Sequence, residues 1–163
     1  MKTELSTKGD TTVSAEAGRI ALLQSRWHAD VVQECTKSFI ATMVANGISQ
    51  SRIDVVEVPG AFEMPLHAKL LSKTGHYSAI VAAALVIDGG IYRHEFVAQT
   101  VINALMLVQL ETTIPIFSAV LTPHHFHEVD EHKAFFRAHL ATKGEEVGKA
   151  CIDTLKSVAR ITQ

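Results

Sequence analysis

An apolar run from Ser78 to Ile87 stops at Asp88-Gly89-Gly90, and a different periodicity takes over beyond it. Val97, Val101, Ala104, Leu105 and Val108 fall at i, i+4, i+7, i+8 and i+11, the spacing of one face of a helix. The stretch therefore reads strand, glycine turn, helix. In an open α/β sheet, ligands bind beyond the carboxyl ends of the strands. Two glycines let backbone N–H groups come close to an anion, and the start of a helix adds a partial positive charge. Arg93 and His94 stand in that region. The chain has neither a G-x-G-x-x-G fingerprint nor a G-x-x-x-x-G-K-[ST] loop at this place, and a bare glycine pair also serves as an ordinary turn.

The rest of the chain repeats the alternation. Strands are predicted over Arg19–Ser25, Ile53–Val58, Ser78–Ile87 and Ile116–Leu121. Helices are predicted from Asp30, as N-cap, to Asn46, from Ala61 to near Gly75, and from Tyr92 to Glu111. Two further helices are expected over Glu128–Leu140 and Lys143–Arg160, after a loop at Thr122-Pro123-His124-His125-Phe126-His127. Residues 1–17, polar and small, read as an N-terminal arm, and residues 18–163 as one α/β domain. This order implies a three-layer α/β/α sandwich on a four-stranded parallel sheet, flavodoxin-like, with right-handed crossovers. Its two sheet edges and apolar helix faces point to self-association.

A chain of 163 residues, 47% hydrophobic, can bury a core as one domain. A net charge of −2 gives no sign of a nucleic-acid or anionic-membrane partner. No apolar run approaches the ~20 residues of a membrane span, and the N-terminus shows no apolar signal core, so a cytoplasmic location is expected. Cys35 and Cys151 lie far apart, each on the apolar face of a predicted helix, which suits core packing.

Unusual residues follow each strand. Trp27, the single tryptophan, either stacks on a flat heteroaromatic ring or caps the core. Glu63, at a helix start, either caps or accepts bonds from substrate hydroxyls. Arg93 either clamps a phosphate or lies on a solvated helix face. His124, His125, His127 and His132 suggest metal ligands, but adjacent side chains point apart, so an interface or pocket wall is the expected role and no metal is expected.

Together these stretches resemble the lumazine synthase family over roughly Arg19 to Ile161. Val58-Pro59-Gly60-Ala61-Phe62-Glu63-Met64-Pro65 is similar to its V-P-G-A-F-E-[IL]-P motif. Leu85-Val86-Ile87 with the glycine turn resembles its second motif, and Val120-Leu121-Thr122 its third. Trp27 and the T-P-H-H-F-H loop resemble the second, decameric type. The resemblance implies condensation of 5-amino-6-(D-ribitylamino)uracil with 3,4-dihydroxy-2-butanone 4-phosphate, with loss of inorganic phosphate and water and no cofactor. It implies stacking by Trp27, ring-edge and ribityl contacts from Ala61, Phe62 and Glu63, and backbone contacts from Leu85, Val86 and Ile87. Gly89, Gly90 and Ile91 would line the phosphate pocket, and Ser118 and His132 would come from a neighbouring subunit of a pentamer or a dimer of pentamers.

Three positions depart from the family pattern. Its usual turn is I-R-G-x-T-x-H-[FY]; counted without a gap, Arg93 takes the place of the acid–base histidine, and His94 stands one step on. Ile91 replaces a threonine. The later phosphate-binding arginine falls at His132, or at Arg137 if the loop carries an insertion. Two readings follow: a working synthase, or a lumazine- or riboflavin-binding or scaffold protein with weak residual activity.

Overall fold

β1 (Arg19–Ser25) runs through the middle of the protein, and its side chains Ile20 to Leu23 are fully buried on both of its faces. It pairs in parallel with β2 (Ile53–Val58) on one side and β3 (Tyr77–Leu85) on the other, so that Leu22 lies opposite both Val55 and Val81. β4 (Ile116–Leu121) adds to β3, which gives a four-stranded parallel sheet in the order β2-β1-β3-β4. These facts come from a computed structural model that describes residues 18–90, 93–124 and 129–163. The expected N-terminal arm lies outside the described residues.

The period-two geometry of a strand sends alternate side chains to opposite faces, and here both faces are covered. Ile20, Leu22, Val81 and Ala83 meet α1 (Ala29–Ala45) and α4 (Asp130–Thr162) through Val32, Cys35, Phe39, Leu140 and Cys151. Ala21, Leu23, Ile80 and Ala82 meet α2 (Met64–Ser72) and α3 (His94–Thr112) through Met64, Ala68, Val101 and Leu105. The three layers are those expected, and the fold is α/β of the flavodoxin-like kind. At the amino ends of the strands Arg19 forms a two-point ion pair with Asp54, and the Tyr77 hydroxyl donates to the same carboxylate at 3.0 Å. The guanidinium holds the Asp54 carboxyl below its usual range.

Three of the strand bounds, β1, β2 and β4, are those expected; several helix ends are not. The expected helices over Glu128–Leu140 and Lys143–Arg160 are one continuous α4, whose buried residues Leu140, Gly144, Val147, Gly148, Cys151 and Ile152 form an unbroken stripe. A Cβ added at Gly144 would stand 2.3 Å from the carbonyl oxygen of Cys35 and 3.0 Å from the backbone N of Phe39, so glycine lets α4 lie directly on the backbone of α1. The expected Asp30 cap is replaced by His28, which turns into α1 in the left-handed region (φ 56°), and Asp30 sits in the first turn, where the helix dipole favours its charge. The second helix opens as a 3-10 turn over Ala61–Glu63 and becomes α-helical at Met64, ending at Ser72 rather than near Gly75. β3 is assigned one residue earlier and two shorter at its end than Ser78–Ile87. α3 starts at His94; the expected start, Tyr92, lies outside the described residues, as do Glu128 and the loop residues His125, Phe126 and His127. On α3 the buried face is His94, Ala98, Val101, Leu105 and Val108, with Val97 and Ala104 only partly covered.

Both cysteines are fully buried, as core packing requires, and burial pushes each thiol up to about 12. Two outcomes follow from this packing. Gly144→Ala forces α1 and α4 apart and should lower stability by ~3 kcal/mol, the upper end of overpacking costs, read as a drop in the urea midpoint. Neither Cys35 nor Cys151 should react with a thiol reagent at neutral pH until the protein is unfolded, because the thiolate is the reactive form; mass spectrometry after alkylation under native conditions checks this.

Candidate functional site

Parallel strands deliver their carboxyl ends to one rim, and the unusual residues named from the sequence gather there. The pairing of β1 with β2 continues past both strands: Arg26 N donates to Val58 O at 2.8 Å and Trp27 N to Pro59 O at 3.2 Å. The Ser25 hydroxyl donates to Trp27 O at 3.0 Å. The Trp27 backbone is therefore fastened from both sides, while the residue is 66% exposed. It is not a core cap. Its indole leans on Gly60, whose added Cβ would stand 2.7 Å from Cε3 and 2.9 Å from Cζ3 of the ring.

Glu63 closes the turn after β2 by accepting from Gly60 N at 2.9 Å through Oε2. Of the two roles open to it, capping is the one this bond performs. A carboxylate accepts up to about four hydrogen bonds, so acceptor capacity remains. Its backbone oxygen lies 2.8 Å from His67 Nδ1. Ala61 is buried and Phe62 is exposed beside them.

β3 ends on the neighbouring side of β1. Leu85 and Val86 are buried, and Val86 N donates to Leu121 O at 2.8 Å, which carries the β3–β4 pairing one step beyond the strand. Ile87 packs on the α1/α4 face of the core. The turn then closes on itself: Asp88 Oδ1 accepts from Gly90 N at 2.9 Å, and Gly90 takes φ 76°, open to glycine without strain. Gly89 is exposed at its tip. Ile91 lies outside the described residues.

Arg93 and His94 diverge. Arg93 is exposed with an extended backbone (φ −74°, ψ 104°) and places its guanidinium 4.7 Å from the centre of the Phe96 ring. His94 is the first residue of α3 and only 6% exposed. Its Nδ1 is buried without a hydrogen-bond partner, 3.7 Å from Glu95 Oε2 and 4.0 Å from Asp88 Oδ2. The change from extended to helical backbone between the two residues separates them, as the angular spacing of helix neighbours implies.

Neither Ser118 nor His132 lies in the segments directly after β1, β2 or β3. Ser118 is exposed on β4, at the sheet edge opposite β2, and His132 lies in the first turn of α4, which follows β4. Arg137 is held within the chain: its Nη2 donates to Asp30 Oδ2 at 2.9 Å and its Nε to Asp30 O at 3.1 Å. Among the described residues no group of three or more His, Cys, Asp or Glu converges as a metal site, and no helix is long and apolar enough to cross a membrane. Sequence reading missed three of these connections: the Ser25 clasp, the seat of Trp27 on Gly60, and the Asp30–Arg137 pair. The last two join residues whose proximity depends on strand order or on the α1–α4 contact, and the first is a two-residue contact that residue types alone do not announce.

Residues 17–159 match the family model described as 6,7-dimethyl-8-ribityllumazine synthase. A protein of Pseudomonas syringae pv. tomato named 6,7-dimethyl-8-ribityllumazine synthase 2 is 60% identical over 140 residues, 86% of this chain and 82% of that one. A protein of the same name from Bradyrhizobium diazoefficiens is 56% identical over 90% of this chain and 88% of its own. A Rhodococcus erythropolis protein named 6,7-dimethyl-8-ribityllumazine synthase is 54% identical over 86% of this chain and 90% of its own.

Proposed function

Because the chain belongs to the 6,7-dimethyl-8-ribityllumazine synthase family, we propose that the rim beyond β2, β1 and β3 is where it condenses 5-amino-6-(D-ribitylamino)uracil with 3,4-dihydroxy-2-butanone 4-phosphate. The reaction belongs to riboflavin biosynthesis: the ring amine condenses with the ketone and water leaves, phosphate is eliminated, and the ribityl-bearing nitrogen closes the second ring with loss of water. The observation that carries the placement is the convergence of Trp27, the Gly60–Glu63 turn and the Leu85–Gly90 segment at the ends of three adjacent strands.

In this reading Trp27 stacks on the pyrimidinedione, and Ala61, Phe62 and Glu63 hold the ring edge and ribityl hydroxyls. Leu85, Val86 and Ile87 offer backbone groups to the ring. Gly89, Gly90 and Ile91 line the phosphate pocket, and Arg93 swings from Phe96 to bind the phosphate through its planar fork. A guanidinium stays protonated at neutral pH, so Arg93 stabilises the leaving phosphate and is no general base. His94 is buried while Arg93 is exposed, so the two side chains lie in different surroundings. Proton transfer then falls to His94 only if the turn opens, and otherwise to substrate groups or water. This departure is the one observation favouring the second reading, a lumazine- or flavin-binding protein with weak residual turnover.

The site is completed, we infer, by a second copy, with Ser118 and His132 of one subunit facing the rim of the next in a pentamer or a pair of pentamers. The place of Ser118, exposed on the edge strand β4, supports this. So do the exposed apolar side chains Phe62 just before α2, Leu66 and Leu70 on it, and Phe96, Ile102, Met106, Leu107 and Leu110 on α3. Inorganic phosphate and riboflavin are the further ligands of such a site, and the cytoplasm is its proposed location.

A turnover assay with both substrates, set beside equilibrium binding of riboflavin, tests the assignment. Arg93→Ala should raise the Michaelis constant for the butanone phosphate by ~10- to 100-fold, because a hydrogen bond to a charged group contributes about 1.5–3 kcal/mol. His94→Ala should do less. The reverse pattern would move the acid–base role to His94, and tight riboflavin binding without turnover would favour the second reading. Light scattering checks the assembly: a mass near one chain, 17.7 kDa, at micromolar protein would rule out the shared site.

A further inference from the structure

Gly60 is the glycine in this rim whose need is spatial and not conformational. Its φ of −152° is extended backbone that any residue adopts, unlike Gly90 with its φ of 76°. What excludes a side chain is Trp27: an added Cβ would stand 2.7 Å from Cε3, 2.9 Å from Cζ3 and 3.3 Å from Cδ2 of the indole. The atoms it would strike belong to the six-membered part of the ring. The indole cannot retreat along the chain, because Trp27 N is bonded to Pro59 O at 3.2 Å and Trp27 O receives the Ser25 hydroxyl at 3.0 Å. Gly60 itself is fixed, its N–H held by Glu63 Oε2 at 2.9 Å. Both backbones being pinned, the bare Cα of Gly60 sets how the ring lies, and the remainder of the residue stays exposed.

We propose that Gly60 is a positioning residue for the heterocycle subsite: it seats the Trp27 indole at the tilt from which the outer ring face receives the pyrimidinedione. The inference rests on the stacking role assigned to Trp27. The same turn then does two things at once, since Glu63, which reaches for the ribityl chain, holds the N–H of the residue under the ring. Pyrimidinedione and ribityl recognition are thereby set by one clasp, while the phosphate end of the site is set separately by the Asp88–Gly90 turn.

Gly60→Ala keeps the N–H bonded to Glu63 and an accessible φ, so it changes the contact alone. With one tryptophan in the chain, acrylamide quenching of its fluorescence reports the seat directly. The variant should be more quenchable than the unsubstituted protein. It should bind riboflavin about 5- to 100-fold more weakly, the range that loss of stacking under one heterocycle gives. Its Michaelis constant should rise for the ribitylaminouracil and not for the butanone phosphate. Trp27→Phe removes the atoms that clash, so Gly60→Ala in that background should add little to the loss that Trp27→Phe causes alone. Unchanged quenching and riboflavin binding in Gly60→Ala would overturn the proposal, as would an equal penalty in the Trp27→Phe background. If Gly60→Ala alone fails to fold, the double variant should recover the far-UV circular dichroism of the unsubstituted protein; failure of both also overturns it. The stacking role fails by a different result, Trp27→Ala binding riboflavin like the unsubstituted protein, and the quenching readout on Gly60→Ala stands apart from it.

Discussion

The parallel pairing of β1 with both of its neighbours is what the candidate site depends on. Parallel strands share a direction, so the residues following β1, β2 and β3 emerge together without any long-range loop to gather them. The pairing is held by burial: Ile20 to Leu23 lose all contact with solvent, two on each face, against helices on both sides. At ~1.5–3 kcal/mol for each large apolar side chain, that burial anchors the strand register far more firmly than the exposed Arg19–Asp54 pair at the other end. The rim inherits its precision from the sheet, since Arg26, Trp27 and Val86 continue the ladder bonds beyond the assigned strands.

The sequence revealed most where local signals and tertiary structure agree. β1, β2 and β4 have the expected bounds because short apolar runs there meet breakers, Pro59-Gly60 after β2 and Pro115 before β4. It misled where a residue has one local meaning and another tertiary one. The stretch after Leu140 reads as a break between two helices; the missing side chain of Gly144 admits the α1 backbone, and the buried stripe runs through as one helix. Asp30 reads as a cap, but His28 takes the turn and leaves Asp30 to Arg137. In the site, Trp27, Glu63 and the glycine turn were visible as residue types after strands. The seat of Trp27 on Pro59 and Gly60 was not, because it arrives from the neighbouring strand.

Arg93 and His94 show how a one-residue backbone change sorts chemistry. The extended residue before α3 keeps its charge in solvent, against the face of Phe96, where a cation is favoured. The next residue is turned inward, and a buried imidazole nitrogen is left without a partner between two carboxylates. Such an unmet donor or acceptor costs free energy that tight packing alone does not return. The cost sits at the first residue of α3, close to the Asp88–Gly90 turn.

α4 is longer than the layer it covers. At 1.5 Å per residue its 33 residues span about 50 Å, whereas the nine residues of β3 span about 30 Å. Its fully buried side chains run only from Leu140 to Ile152, about 20 Å in the middle of the rod. Phe136 and Leu155 carry the contact about one turn further on each side, and beyond them each end projects as a rod of roughly 10 Å, stiffened by main-chain hydrogen bonds, the amino-terminal one braced by Arg137 against Asp30. A load applied at either tip is carried as torque to the Gly144 crossing, where the two helix backbones touch and have no room to yield.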